Sequence, residues 1–115
     1  MAIGTISKLT PSSDGVIGNK RTRTRDVVVT SGANYVTGGS SITAADVDLN
    51  RRIERVHGAG VARLTADSST SIPISVAHQT DGSVKLVGYV AATGAEQASN
   101  ANLSTFSVRL TFVGV

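Results

Sequence analysis

The clearest alternation of apolar and polar side chains lies near the end of the chain. Phe106, Val108, Leu110 and Phe112 share one parity, opposite Ser107, Arg109 and Thr111, which predicts a strand with one face buried. Burying those four side chains contributes roughly 6–12 kcal/mol before entropy is counted. Residues 84–90 alternate as well, with Val84, Leu86 and Gly88 against Lys85, Val87 and Tyr89. Ile72, Ile74 and Val76 share a face with Pro73 on the other, and proline places that segment at a sheet edge or a strand start. Between the two runs, Thr80-Asp81-Gly82-Ser83 reads as a hairpin turn.

Earlier in the chain the pattern is looser. Val27-Val28-Val29 reads as a strand, 31–34 as a turn, and Tyr35-Val36-Thr37 as a short resumed strand before Gly38-Gly39. Thr43-Ala44-Ala45-Asp46 fits a capped helical turn, with a hydroxyl at the cap and an acid three residues on. Residues 51–57 alternate weakly, with a bulge expected near Val56. Gly58-Ala59-Gly60 bends the chain before a clean alternation over 61–66. Residues 67–71 and 91–104 read as polar loops. About six short strands with turn-rich spacers predict an all-β fold, a small antiparallel β-sandwich or barrel with one short helix.

Residues 1–22 form an expected N-terminal arm ahead of a β domain at 23–115. Ile3, Ile6, Leu9, Val16 and Ile17 are scattered there among Ser, Thr, Gly, Pro and Asp with no sustained period. Two readings stand: a frayed terminus, or an arm that orders on a partner through its aliphatic side chains. Lys20-Arg21-Thr22-Arg23-Thr24-Arg25 follows. In an extended chain its arginines share one face and its threonines the other. It reads either as a charge-protected edge strand or as a contact to acidic protein or phosphate. With no aromatic residue nearby, single-stranded nucleic acid is disfavoured.

Composition narrows the core. Hydrophobic residues make up 40% of the 115, yet the chain has only two Phe, two Tyr and no Trp, so the core is built from Val, Ile, Leu and Ala. The absence of cysteine excludes disulfides and thiolate metal sites. No apolar run approaches a membrane span, and the first residues lack a signal-peptide pattern, so synthesis in the cytoplasm is expected. A net charge of +3 permits an acidic partner without demanding one.

Candidate chemistry is sparse. Asp46-x-Asp48-x-Asn50 copies the start of a calcium loop, but Arg51 and His57 occupy the glycine and glutamate positions. Gly58-Ala59-Gly60 begins like a dinucleotide loop, without its last glycine or a following helix. His57 and His78 lack ligand-spaced partners. No nucleophile-elbow pattern is present. Asp67 with Asp81 is the carboxylate pair to check for a glycosidase arrangement. The expectation is a non-enzyme with no cofactor, no metal and no small-molecule substrate. A carbohydrate-binding module would need exposed aromatics, for which Tyr35 and Tyr89 are the candidates.

Several segments are similar to a family of small tailed-bacteriophage structural proteins: Gly18-Asn19-Lys20-Arg21, Tyr35-Val36-Thr37-Gly38-Gly39, Ile42-Thr43, Val47-Asp48-Leu49, Asp81-Gly82, Val84-Lys85-Leu86 and Ser107-Val108-Arg109-Leu110. The family's usual Leu-Gly-Leu is Val47-Asp48-Leu49 here, and Asn50-Arg51-Arg52 is more basic than its pattern. The resemblance implies a virion role as a capsid decoration, or cement, protein on the shell surface, with the major capsid protein as partner. It also implies a homo-oligomer, a trimer being a common outcome, and no nucleic acid or membrane partner. A tail or head-fibre component of the same build is the alternative. On this reading the expected capsid contacts are Ile3, Ile6 and Leu9 of the arm, with Lys20, Arg21, Arg23 and Arg25 as cations beside an acidic shell.

Overall fold

A computed structural model describes residues 3–9, 14–58, 60–64 and 70–115. The architecture is all-β: a single antiparallel sheet curled into a half-barrel, with one short 3-10 turn. Its strands among the described residues are β1 (Ile6–Lys8), β2 (Gly15–Ile17), β3 (Lys20–Val28), β4 (Ser40–Ile42), β5 (Ile53–Gly58), β6 (Val61–Leu64), β7 (Ser71–His78), β8 (Val84–Gly88) and β9 (Phe106–Gly114). The 3-10 turn is Ala45–Val47.

The sheet is organised around β9, the segment with the strongest alternation. One side of β9 pairs with β3 along nearly its whole length. The other side pairs first with β5 and then with β6. A register shift within β5 falls between Ile53 and Arg55, close to the bulge expected at Val56. Val108, Leu110 and Phe112 are buried, and Phe106 packs against the core from its rim. From β6 the order continues through β7 and β8 to β4, the far edge. Its opposite edge is shared by β1 and β2, which pair with successive halves of β3.

Proline is not at an edge. Ser71 to Pro73 pair with β6, and Ile74 to His78 pair with β8. Pro73 therefore sits where β7 changes partner, a place where a missing N–H costs the ladder little. The Asp81-Gly82 hairpin forms as expected. The Gln79 N–H donates to the Ser83 carbonyl, Gly82 takes φ +87°, and the Asp81 carboxylate accepts from the Ser83 N–H and hydroxyl.

The expected capped helix is reduced to the 3-10 turn. Half of its capping box exists: the Asp46 carboxylate accepts from the Thr43 N–H at 2.8 Å, whereas Ala44 at the cap offers no side-chain bond. Residues 35–37 are not a strand. The Tyr35 N–H donates to the Ala101 carbonyl, and the Tyr35 carbonyl accepts from the Asn100 N–H, so this backbone is satisfied by the long loop before β9. Gly39, at φ +107°, lies so close to β8 that a Cβ would sit 2.9 Å from a Val87 methyl.

Candidate docking surface

The basic run is strand β3, and it is not an edge. With β1 and β2 on one side and β9 on the other, its side chains alternate between the core and the outer face. Arg25 lines up with Leu110, and Arg23 with Phe112, so the shared arginine face is the inner face. The Arg25 side chain is 2% exposed. It binds both Asp14 carboxylate oxygens, at 2.6 and 3.1 Å, and one Asp48 oxygen at 2.7 Å. It also donates to its neighbour's carbonyl at Thr24. Asp48 is presented from a left-handed conformation, φ 61°, just after the 3-10 turn. The Arg25 hydrogen bond, against a smaller opposing effect of burial, holds the Asp14 carboxyl below the usual carboxylate range. The same pairing raises the Arg25 guanidinium.

Arg23 donates to the Asp48, Thr22 and Gly15 carbonyls. Together the two arginines pin the start of β2 and the 3-10 turn to the body. Ile3 is a core residue, 3% exposed. Ile6 pairs with Val27 and packs against the core, and Leu9 is half-buried. Of the residues expected to contact a capsid, Ile3 and Arg25 are thus buried within the chain, and Ile6, Leu9 and Arg23 are half-buried. Residues 6–8 pair onto β3, and the Gly4 N–H and Thr5 carbonyl bond to Val28. No break falls at residue 22, since β3 runs continuously across it.

What remains outward lies at the opposite end of β3. Gly18-Asn19 closes a two-residue hairpin between β2 and β3, with Ile17 opposite Lys20 and Val16 opposite Arg21. Gly18 takes φ +61°, the arrangement of a turn with glycine first. Val16 and Ile17 are both 68% exposed, and among the described residues no strand covers their outer edge.

Cations collect beside that edge. Arg21 and Ile53 both face Gly114, from opposite sides of β9, and Arg55 faces Val113. Two strand spacings, about 10 Å, thus separate the hairpin from the start of β5. Arg21, Arg51, Arg52 and Arg55 are exposed. Lys20 and Arg52 each reach one Glu54 oxygen at 2.9 Å. The Lys20 bond, then that of Arg52, lowers the Glu54 carboxyl. Five cationic side chains, Lys20, Arg21, Arg51, Arg52 and Arg55, gather at this end around Glu54, and the Asp81-Gly82 turn packs on Arg52 beside them.

Sequence reasoning identified Lys20 and Arg21 but missed the hairpin. Its signal was the Gly-Asn pair between Val16-Ile17 and the basic run. It also noted the excess of arginine at Arg51 and Arg52 without placing it.

The remaining candidate chemistry finds no assembled site among the described residues. No group of His, Asp and Glu side chains is spaced to hold a metal. Asp46 and Asp48 are occupied by Thr43 and Arg25. Gly58 and Gly60 lead into strand β6 and not into a helix. Asp67 lies outside the described residues, so the Asp67–Asp81 pair is not located. Tyr35 is 1% exposed and offers no ring to a sugar. A surface hollow of about 550 Å³ is lined by Asp26, Val28, Val61 and Arg109 on the outer face, where Arg109 and Asp26 pair through two bonds. No described helix is long and apolar enough to cross a membrane. No protein-family model, no curated protein and no solved structure matches the chain.

Proposed function

We propose that this protein is a phage virion component, a capsid decoration protein that sits on the outer surface of the shell and stabilises it, most simply as a homotrimer. The observation that carries this reading is the docking end. A body tied together by long-range pairings presents one apolar strand edge, and the cationic side chains of Arg21, Arg51, Arg52 and Arg55 stand exposed at the same end. Such a surface suits adhesion to an acidic partner. The resemblance to phage structural proteins supports the same reading through residues that build the fold. Gly18 makes the hairpin turn, Gly39 allows close approach to β8, and Tyr35 fills the core.

The contact differs from the one expected of an arm. It uses the β2–β3 hairpin and the start of β5, with Arg21, Arg51, Arg52 and Arg55 facing an acidic shell. The test uses shells of the encoding phage assembled without this protein. Purified protein added to them is expected to co-sediment saturably and to raise their melting temperature. Protein that stays in the supernatant at every concentration contradicts the proposal.

A further inference from the structure

Two long connections join strands that are not neighbours in the sheet. Residues 29–39 run from β3 to β4 at the far edge, and residues 89–105 run from β8 back to β9. The two connections meet beside the end of β8. Tyr35 exchanges backbone bonds with Asn100 and Ala101, and the Thr37 and Ser99 hydroxyls pair. The buried Thr30 hydroxyl accepts from the Leu103 N–H. Tyr35 and Leu103 are 1% and 4% exposed. One carboxylate ties the connections together. A single Glu96 oxygen accepts from the Tyr35 hydroxyl at 2.8 Å and from the Gly38 N–H. The Tyr35 hydroxyl in turn accepts from the Gly88 N–H at 3.1 Å. Apart from Glu96, no charged residue occurs between Asp26 and Asp46 or between Lys85 and Arg109.

We infer that Glu96 is the clasp of an acid-opened strap: protonating this one carboxylate lets residues 35–38 and 96–101 part while the sheet stays paired. Bonds to an ionised acceptor are about twice as strong as bonds between neutral groups, and both bonds to Glu96 lose that advantage together. The ionisable groups around it are Tyr35 and Tyr89, the latter its partner in an isolated bridge. Both are neutral in acid, so neither offsets the loss. The bond from Gly38, and then that from Tyr35, holds the Glu96 carboxyl below its usual range. The clasp is therefore complete above the ordinary value of 4.5 and loosens as pH falls through the lowered one. The start of the strap does not depend on this charge. The Val90 N–H bonds to the Ala95 carbonyl and the Gln97 N–H to the Gly88 carbonyl, which keeps residues 89–97 on β8. Opening therefore uncovers Tyr35 without unravelling the strand. The device is separate from the shell-docking proposal, since it uses neither the hairpin nor the cations of that end.

The test is amide hydrogen exchange of the whole chain, read by NMR and corrected for intrinsic rates. Glu96→Gln keeps the shape and an acceptor oxygen but carries no charge. At about pH 6 its Gly38 and Asn100 amides are expected to exchange at least ten-fold faster than those of the parent, with the amides of β3 and β9 unchanged. Lowering the pH to about 3 is expected to bring the parent to the variant's rates at Gly38 and Asn100, and to leave the variant where it was. Asp14, Glu54 and Asp81 also have lowered values, and the variant retains all three, so any acid effect of theirs occurs in both proteins. A second measurement needs no change at Glu96. In Tyr89→Phe the remaining tyrosine is Tyr35, whose fluorescence is expected to resist acrylamide at about pH 6 and to be quenched at about pH 3, with far-ultraviolet circular dichroism unchanged. Equal Gly38 exchange in parent and Glu96→Gln overturns the clasp. A parent whose Gly38 exchange ignores acid overturns the switch even if the variant is loose, because Glu96 is then a structural bond only. Loss of protection in β3 and β9 at the same pH as at Gly38 overturns it as well, since the whole fold is then opening. So does a Tyr35 that stays shielded at about pH 3.

Discussion

Replacing Arg25 with methionine removes the cation that joins β3, the start of β2 and the 3-10 turn. Three bonds to carboxylate oxygens disappear. Bonds to charged groups contribute about 1.5–3 kcal/mol each when fully buried, but the burial here is uneven. Arg25 is 2% exposed, Asp14 17% and Asp48 67%. Asp48 regains water almost completely and Asp14 in part, so the loss falls at the lower end of the range for a broken buried pair, about 3 kcal/mol. For a chain of this size that lowers the melting temperature by about 10 °C. Urea unfolding followed by far-ultraviolet circular dichroism checks it, with a lower midpoint and an unchanged slope. Arg25→Lys is expected to fall between the two, since an ammonium cannot grip both Asp14 oxygens as a planar fork does. Adding Asp14→Asn and Asp48→Asn to Arg25→Met is expected to recover part of the loss, because the stranded charges are gone. The same variant changes the acid limb. Asp14 has a lowered pKa in the folded protein, so its contribution is complete above about pH 4 and disappears as pH falls through the lowered value. Glu54, Glu96 and Asp81 are lowered too and add to the parent's acid sensitivity. Arg25→Met removes only the Asp14 share and should flatten the curve below pH 4. A variant as stable as the parent, with an identical acid limb, refutes the claim that this buried cation holds the sheet edge.

Burial, and then the bond to Glu96, push the Tyr35 hydroxyl up to about 12. Its stabilisation is complete below the ordinary value of about 10 and is lost between pH 10 and 12. Absorbance titration at 295 nm should resolve a tyrosine ionising near 12 that is absent from Tyr35→Phe; two tyrosines titrating together near 10 argue against this. Gly39→Ala should cost about 2–3 kcal/mol, since both its φ and the 2.9 Å approach to Val87 are violated. Gly18→Ala, whose Cβ meets nothing within 4 Å, should cost only about 1 kcal/mol; equal losses in chemical denaturation contradict the close approach to β8. Thr24→Val with Thr111→Val should lower stability by about 1 kcal/mol or less, as it removes one 3.0 Å hydroxyl pair on the outer face.

Local periodicity made the middle of the sheet legible. The buried parity of β9, the Asp-Gly hairpin and the alternation of the basic run are all encoded within a few residues. What escaped depends on distant partners. Nothing near Arg25 in the chain says that Asp48 will meet it, so an arginine read as surface is buried. Residues 35–37 have strand composition, yet the Tyr35 backbone bonds go to the loop at 100–101, more than sixty residues on. Ile3 and Ile6 are too widely spaced to signal a strand, and their places in the core and on β3 depend on residues distant in the chain. The docking end was half-visible: its cations stood out, but their gathering around Gly114 is a property of register.

Cryo-electron microscopy of the virion of the encoding phage tests the central claim most directly. The account predicts half-barrel density on the outer shell surface, seated with the β2–β3 hairpin and Arg21 against an acidic segment of the capsid protein. A shell without that density, or with the β2 edge turned to solvent, contradicts it.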